Sequence, residues 1–146
     1  MKTPRRPLLL AAVAALALSA ALSGCGFMAS RDTAQEGVNR FHRRMNEAKF
    51  EEIYDLAATR LQTAETKEQF VARMEPIHRR LGTYVNGSEK NWNIDARPGG
   101  TTVVLTFKSR YEHGPADETF KFLVKDGKAW LEEYRVGTDA SGTPAP

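Results

Sequence analysis

The chain has 146 residues, of which 41% are hydrophobic and 27% charged, and this length fits a single folded domain. Its formal net charge of +3 comes entirely from residues 1–24, which hold Lys2, Arg5 and Arg6 and no acid, so a chain that begins at Cys25 is neutral. This balance excludes a nucleic-acid binder that depends on a surplus of positive charge.

The first segment has the layout of an export signal. The three basic residues are followed by an apolar run at residues 8–21 and then by small residues. The run is shorter than the roughly 20 residues that a membrane-spanning helix needs. We therefore predict a cleaved signal peptide at residues 1–24; the alternative is a short membrane anchor or a buried helix.

The residues Leu22, Ser23, Gly24 and Cys25 follow the apolar run, and Cys25 is the only cysteine. This sequence resembles the lipobox of bacterial lipoproteins. The resemblance implies cleavage before Cys25, thioether lipidation of its sulfur, and acylation of the new amino group by a chain such as palmitate. Gly26, in place of Asp, implies sorting to the outer membrane, facing the periplasm. Three acyl chains would hold the protein at the membrane permanently, whereas the alternative is a free buried thiol.

The lipidated cysteine and a short tether occupy residues 25–31, and a single domain follows at residues 32–136. Asp32 is predicted to cap a helix at residues 33–47, with Gln35 in the capping-box position. Apolar residues recur at helical spacing in this stretch, at Val38, Phe41, Met45 and Ala48.

Two further helices are predicted before the sheet. A short one begins at Phe50, and a longer one begins after Thr66, whose capping-box partner is Gln69. Pro76 is expected to kink or split the longer helix, and Gly82 to end it.

From Tyr84 onward the apolar period changes from 3.6 to 2, which predicts strands. Short turns with the sequences RPGG, HGPAD and KDG separate them, so neighbouring strands must be antiparallel. The predicted strands are residues 88–96, 101–112, 117–125 and 128–136. The remainder, residues 137–146, is predicted to be a disordered tail.

Strict alternation along these strands places apolar and polar residues on opposite faces of the sheet. The apolar face would carry Trp92, Ile94, Val103, Leu105, Phe107, Tyr111, Phe120, Phe122, Val124, Trp130, Tyr134 and Val136. Such a face must be covered by the helices. The predicted fold class is α+β, with two to three N-terminal helices packed on one face of a curved four-stranded antiparallel sheet.

This order of helices and strands resembles the nuclear-transport-factor-2-like and cystatin-like cone folds. The segments NEAKFEEIYDLAA, TKEQFVARMEPIHRRLG and DGKAWLEEYRV are also similar to a family of bacterial exported domains of unknown function. That family implies small secreted or lipid-anchored proteins, and it implies no functional residue.

The three histidines, His42, His78 and His113, lie on two predicted helices and a turn, and none has a partner at the spacing of a metal site. We predict solvated surface histidines, no metal and no cofactor. The basic segments RFHRR and HRRLG are interpreted as solvated helix faces, with contact to anionic lipid headgroups as the alternative.

Glu132 is the unusual position of the last strand, because alternation points it to the apolar face between Trp130 and Tyr134. One hypothesis makes it a ligand anchor or general base in an aromatic pocket. That pocket would be lined by Trp92, Tyr111, Trp130 and Tyr134. The alternatives are a bulge that turns Glu132 outward, or an ion pair with a helix arginine such as Arg73.

Three functions follow from these observations. The first is a non-enzymatic, lipid-anchored module of the cell envelope that binds an envelope protein or a small apolar ligand. The second is an enzyme of the cone-fold isomerase or hydratase type that uses Glu132 as its base. The third is a purely structural envelope lipoprotein.

Overall fold

The computed structural model describes residues 7–137, with side chains from residue 26 onward. In this part of the chain, the helices are α1 (Pro7–Asn46), α2 (Phe50–Asp55), α3 (Thr59–Ala64) and α4 (Lys67–Leu81). The strands are β1 (Tyr84–Arg97), β2 (Gly100–Tyr111), β3 (Gly114–Lys125) and β4 (Lys128–Gly137). The predicted tail lies outside the described residues from residue 138 on, whereas Gly137 still pairs with Asp117 in the sheet.

Helix α1 continues through the segment predicted to be a tether, so the expected helix start at Asp32 is wrong. Extending an existing helix adds one hydrogen bond per residue fixed, whereas a new helix needs a costly nucleus. A side chain in this segment also bonds back to the preceding turn, since Ser30 Oγ donates to the carbonyl of Gly26 at 3.0 Å. Within the described residues, no helix has an apolar stretch of the length needed to cross a bilayer.

Helix α4 confirms the predicted capping box. The Thr66 side chain accepts from the backbone N–H of Gln69, and the Gln69 side chain accepts from the backbone N–H of Thr66. Pro76 does not split the helix, which runs on to Leu81 and ends before Gly82. Pro76 lies on the exposed face, so the carbonyl that loses its hydrogen bond there faces water.

The four strands form a curved, unclosed antiparallel sheet in the order β1-β2-β3-β4, which confirms the predicted meander. The turn between β3 and β4 is the predicted KDG turn. Asp126 and Gly127 have φ values of 51° and 69°, and two consecutive positive φ angles are typical of the tight turn that matches strand twist.

The helices cover one face of the sheet, called the inner face below, and the core lies between them. Helix α1 contributes a stripe that is almost fully buried, at Ala34, Val38, Phe41 and Met45. The sheet supplies Val103, Leu105, Phe107, Phe120, Phe122 and Val124, and the shorter helices supply Phe50, Ile53, Phe70 and Met74. The α+β class and the one-sided helical layer are confirmed.

Candidate functional site

A bulge in β4 changes which of its residues face the core. Phe122 pairs with Leu131 and Lys121 pairs with Glu133, so Glu132 is an extra residue on β4. An extra residue reverses the alternation of a strand beyond that point. The strict alternation predicted for β4 is therefore wrong.

The bulge divides the predicted pocket residues of β4 between the two faces of the sheet. Tyr134 faces the core and is 3% exposed, whereas Trp130 pairs with Leu123 on the outer face. The Glu132 carboxylate lies 3.6 Å from the ammonium group of Lys121, which also points outward. Of the alternatives predicted for Glu132, the structure therefore shows the bulge that turns it outward. Its ion pair is with Lys121.

The remaining predicted pocket residues lie apart from Glu132. Trp92 is on the inner face at the edge strand, but it is 44% exposed, and the guanidinium of Arg31 lies 5.9 Å from its ring centroid. Tyr111 is buried beside Tyr134 around a different acid. The five candidate residues therefore do not form one pocket.

That different acid is Glu118, on β3, whose side chain is almost completely buried. The hydroxyls of Tyr111 and Tyr134 donate to Oε1 at 2.6 and 2.7 Å. On the other oxygen, Oε2 accepts from the Ser109 hydroxyl and lies 3.0 Å from Nε2 of His42. Strands β2, β3 and β4 and helix α1 thus meet at one carboxylate.

These contacts decide the charge state of the cluster. Burial raises the pKa of Glu118, but the hydrogen bond and charge of His42 and the hydroxyls of Ser109 and Tyr111 outweigh it, so the pKa lies below its usual range. Burial and the adjacent Glu118 charge raise the pKa of both Tyr111 and Tyr134. The carboxylate is therefore ionised, and the tyrosines remain donors.

His42 is 3% exposed, so the prediction of a surface histidine is wrong for this residue. Because an ionised carboxylate only accepts, Nε2 of His42 carries the hydrogen shared with Glu118. The imidazole stacks on Tyr84 with 3.6 Å between ring centroids and 7° between planes. Nδ1 has no hydrogen-bond partner among the described residues.

The sequence did carry a signal that His42 is buried, since His42 lies one helical turn after the core residue Val38.

The other two histidines lie away from this cluster. His113 is exposed, with Nδ1 3.1 Å from the carbonyl of Arg80, and His78 lies against the ring of Phe50. In the described part of the chain, no group of His, Cys, Asp and Glu side chains could hold a metal ion.

Sequence reasoning missed Ser109 and Glu118, although the strand pattern held the information. Alternation from Phe107 to Tyr111 points Ser109 inward, and alternation back from Phe120 points Glu118 inward. Two polar residues on an otherwise apolar face, close together across one hairpin, predict a buried polar pair.

A separate groove of about 370 Å³ opens between α1, α2 and the start of β4. Its apolar walls are formed by Phe41, Ile53, Leu56, Phe122, Ala129 and Leu131, and Trp130 borders it at the edge of the sheet. Gly37 allows α1 to approach the sheet here, because a Cβ at this position would lie 2.9 Å from the ring of Phe122 and 3.1 Å from the Cβ of Ala129.

Three cations line the same groove: Arg40, Arg44 and Lys128. Arg44 Nε lies 2.8 Å from the exposed carboxylate of Glu52, and Arg40 makes a looser pair with Glu36 at 3.7 Å. These are surface pairs of low strength.

Phe41 separates the groove from the buried acid. Its ring lines the groove and packs on Tyr134 at 4.4 Å and on His42 at 5.8 Å between centroids. A ligand in the groove would therefore contact Phe41, whereas Glu118 lies behind that ring and is only 1% exposed.

The comparisons agree with the predicted family of domains without an assigned function. No curated protein matches the chain. The family model described as "Protein of unknown function (DUF4019)" matches residues 38–134, which include the buried acid, nearly all of the sheet and every groove residue except Gly37. Since this match spans more than half of the chain, the protein belongs to the DUF4019 family.

Proposed function

We propose that this protein is a lipid-anchored, non-enzymatic binding module of the bacterial cell envelope, and that the groove is its binding site. The observation that carries the proposal is the contrast between the two sites. The Glu118 carboxylate has its hydrogen-bonding capacity filled by four side chains of its own domain. The groove is open, apolar and lined with cations.

The N-terminal sequence supports the anchoring half of the proposal. The resemblance to a lipobox makes Cys25 the attachment point, and Gly26 favours the outer membrane. Along α1, Gly37 follows Cys25 by about 18 Å at the helical rise per residue. A ligand in the groove would thus be held close to the membrane surface.

The enzyme hypothesis gains no support from the geometry around Glu132. Its carboxylate pairs with Lys121 on the outer face of the sheet, and the groove is lined by other residues. A general base must be within hydrogen-bond reach of the proton that it removes. We therefore place binding ahead of catalysis.

Cys25→Ala tests the anchor. Cells that express the full chain are fed an alkyne analogue of palmitate, and membrane and soluble fractions are compared. We expect the variant to lose the label and to persist as an uncleaved precursor, whereas the control Ser19→Ala, in the apolar run, keeps both label and cleavage. A labelled, cleaved Cys25→Ala protein would contradict the proposal.

A photo-crosslinking amino acid at Leu56 tests the groove. Leu56 lines it and is 46% exposed, so the substitution should leave the core intact. The full chain is irradiated in the envelope, and the masses of its adducts are determined. We expect one defined adduct, either a small molecule or one envelope protein, and none from the same probe at Val85, which is 56% exposed. The same adducts from both positions, or no adduct from either position, would contradict a binding role for the groove.

A further inference from the structure

From the shape and charge of the groove, we propose that its occupant is a free single-chain anionic amphiphile, namely a long-chain fatty acid. This inference rests on the proposed function, because it names the ligand of the same groove. The carboxylate would lie between Arg40, Arg44 and Lys128, and the alkyl chain would lie on the apolar walls.

The shape of the groove favours one alkyl chain. Its volume of about 370 Å³ is at the small end of the 300–1,000 Å³ range of small-molecule sites. The walls are the rings of Phe41 and Phe122 and the aliphatic side chains of Ile53, Leu56 and Leu131. Because these side chains offer no hydrogen bond, the part of the ligand that they cover must be apolar.

The charges of the groove favour a carboxylate. Arg40 and Arg44 are one helical turn apart on α1, so they point to the same side, and Lys128 borders the groove at the β3–β4 turn, with its ammonium group 5.9 Å from the ring centroid of Trp130. Of their acidic partners, Glu36 is 73% exposed and 3.7 Å away, and Glu52 is 46% exposed. A ligand carboxylate held between planar guanidinium groups makes stronger, two-pronged hydrogen bonds than these surface pairs.

The backbone of the groove argues against a peptide strand as its occupant. Strand β4 is at the edge of the sheet, where an added strand would need free backbone groups. The carbonyl of Leu131, a groove residue, already accepts from the N–H of Ala58 at 2.9 Å. The loop between α2 and α3 therefore occupies this part of the edge.

The tryptophans allow a direct binding measurement. The chain has two, Trp92 and Trp130, and combining Trp92→Phe and Trp130→Phe with Leu56→Trp moves the only one to an exposed position in the groove. The full lipidated chain, in neutral detergent, is titrated with a long-chain fatty acid brominated on its chain, since bromine quenches tryptophan on contact. We expect saturable quenching that the unbrominated acid reverses. The matched variant, which carries Val85→Trp in place of Leu56→Trp, has its only tryptophan on an exposed part of β1 and should show no saturable quenching.

Two series test the head group. Arg40→Gln combined with Lys128→Gln should weaken binding about tenfold, as the loss of charge-assisted hydrogen bonds predicts, whereas Lys125→Gln, an exposed cation of the same hairpin, should not change it. A brominated alcohol and a brominated trimethylammonium compound of equal chain length should bind at least about tenfold more weakly than the acid.

The outcomes separate this inference from the proposed function. Equal binding of the acid, the alcohol and the cation would overturn the fatty-acid assignment, and so would equal quenching in the Leu56→Trp and Val85→Trp chains. If the acid fails to bind while the Leu56 probe still captures one defined envelope protein, the occupant is wrong and the binding module stands. If both experiments fail, the groove is not a binding site.

Discussion

At the scale of single residues, the domain is organised around the ionised carboxylate of Glu118. Desolvation of a charge costs several kcal/mol unless hydrogen bonds replace the lost water. Here one imidazole and three hydroxyl groups replace it, and they come from α1, β2 and β4. The cluster therefore specifies how helix α1 sits on the sheet.

Glu118→Gln tests this role. The amide nitrogen would replace Oε2 and present N–H groups to the donors of His42 and Ser109. An unsatisfied buried donor costs about 1–3 kcal/mol, so the free energy of unfolding should fall by at least that amount. The measurement is urea unfolding of the full chain. The matched control is Glu132→Gln, whose partially exposed pair with Lys121 should account for less than about 1 kcal/mol. Equal losses in the two variants would contradict the assignment.

The same carboxylate predicts how stability depends on pH. The folded state lowers the pKa of Glu118 below its ordinary value of about 4.3, so the unfolded chain takes up the proton first. The stabilising contribution is complete above that ordinary value and is lost as the pH falls through the lowered pKa. Unfolding free energies measured between about pH 7 and about pH 3 should therefore decline in acid, and less steeply for Glu118→Gln. Parallel acid slopes for the two proteins would refute this prediction.

At the scale of helices and strands, the sequence predicts what local periodicity determines. The stripe of α1 at Val38, Phe41 and Met45, the Thr66 capping box and the KDG turn depend on neighbours in the chain, and the structure confirms them. Ala48, the fourth residue predicted for the stripe, is exposed beyond the end of α1 with a φ of 54°, so that part of the prediction is wrong. The bulge at Glu132 leaves no comparable pattern, because one extra residue reverses the faces of β4 without changing its composition. The helix through Asp32 was missed because an N-cap residue marks the start of a helix only when the preceding chain favours another conformation.

Gly37→Ala tests the close packing of α1 on the sheet. Alanine favours a helix by about 0.5–1 kcal/mol over glycine, but overpacking against the buried Phe122 ring costs about 1–3 kcal/mol. We expect a net loss of about 1 kcal/mol in the free energy of unfolding, measured by urea denaturation.

Gly26 provides the matched control, since it lies on the same helix and a Cβ there would meet nothing within 4 Å. Gly26→Ala should leave stability unchanged or raise it by a few tenths of a kcal/mol. A gain at both positions would mean that α1 is not held tightly against Phe122.

At the scale of the whole molecule, residues 25–146 are neutral, so the proposed membrane attachment would depend on the lipid at Cys25 and not on electrostatic attraction. The sequence predicts the α+β architecture because the apolar period changes once, near Tyr84. It does not predict the groove, which requires three elements to meet around Gly37 and Leu56. Nor does it show that His42 is buried, because its burial depends on where α1 lies on the sheet.

The most direct test of the account is native mass spectrometry of the full lipidated protein, purified from the envelope and compared with two variants. Leu56→Glu places a carboxylate in the groove, and Val85→Glu places one on an exposed strand elsewhere. We predict a bound species that is present in the native protein and in Val85→Glu and absent from Leu56→Glu, with the fold of all three intact by circular dichroism. A native protein without a bound species, or one that Leu56→Glu retains, would contradict the claim that this groove is the binding site.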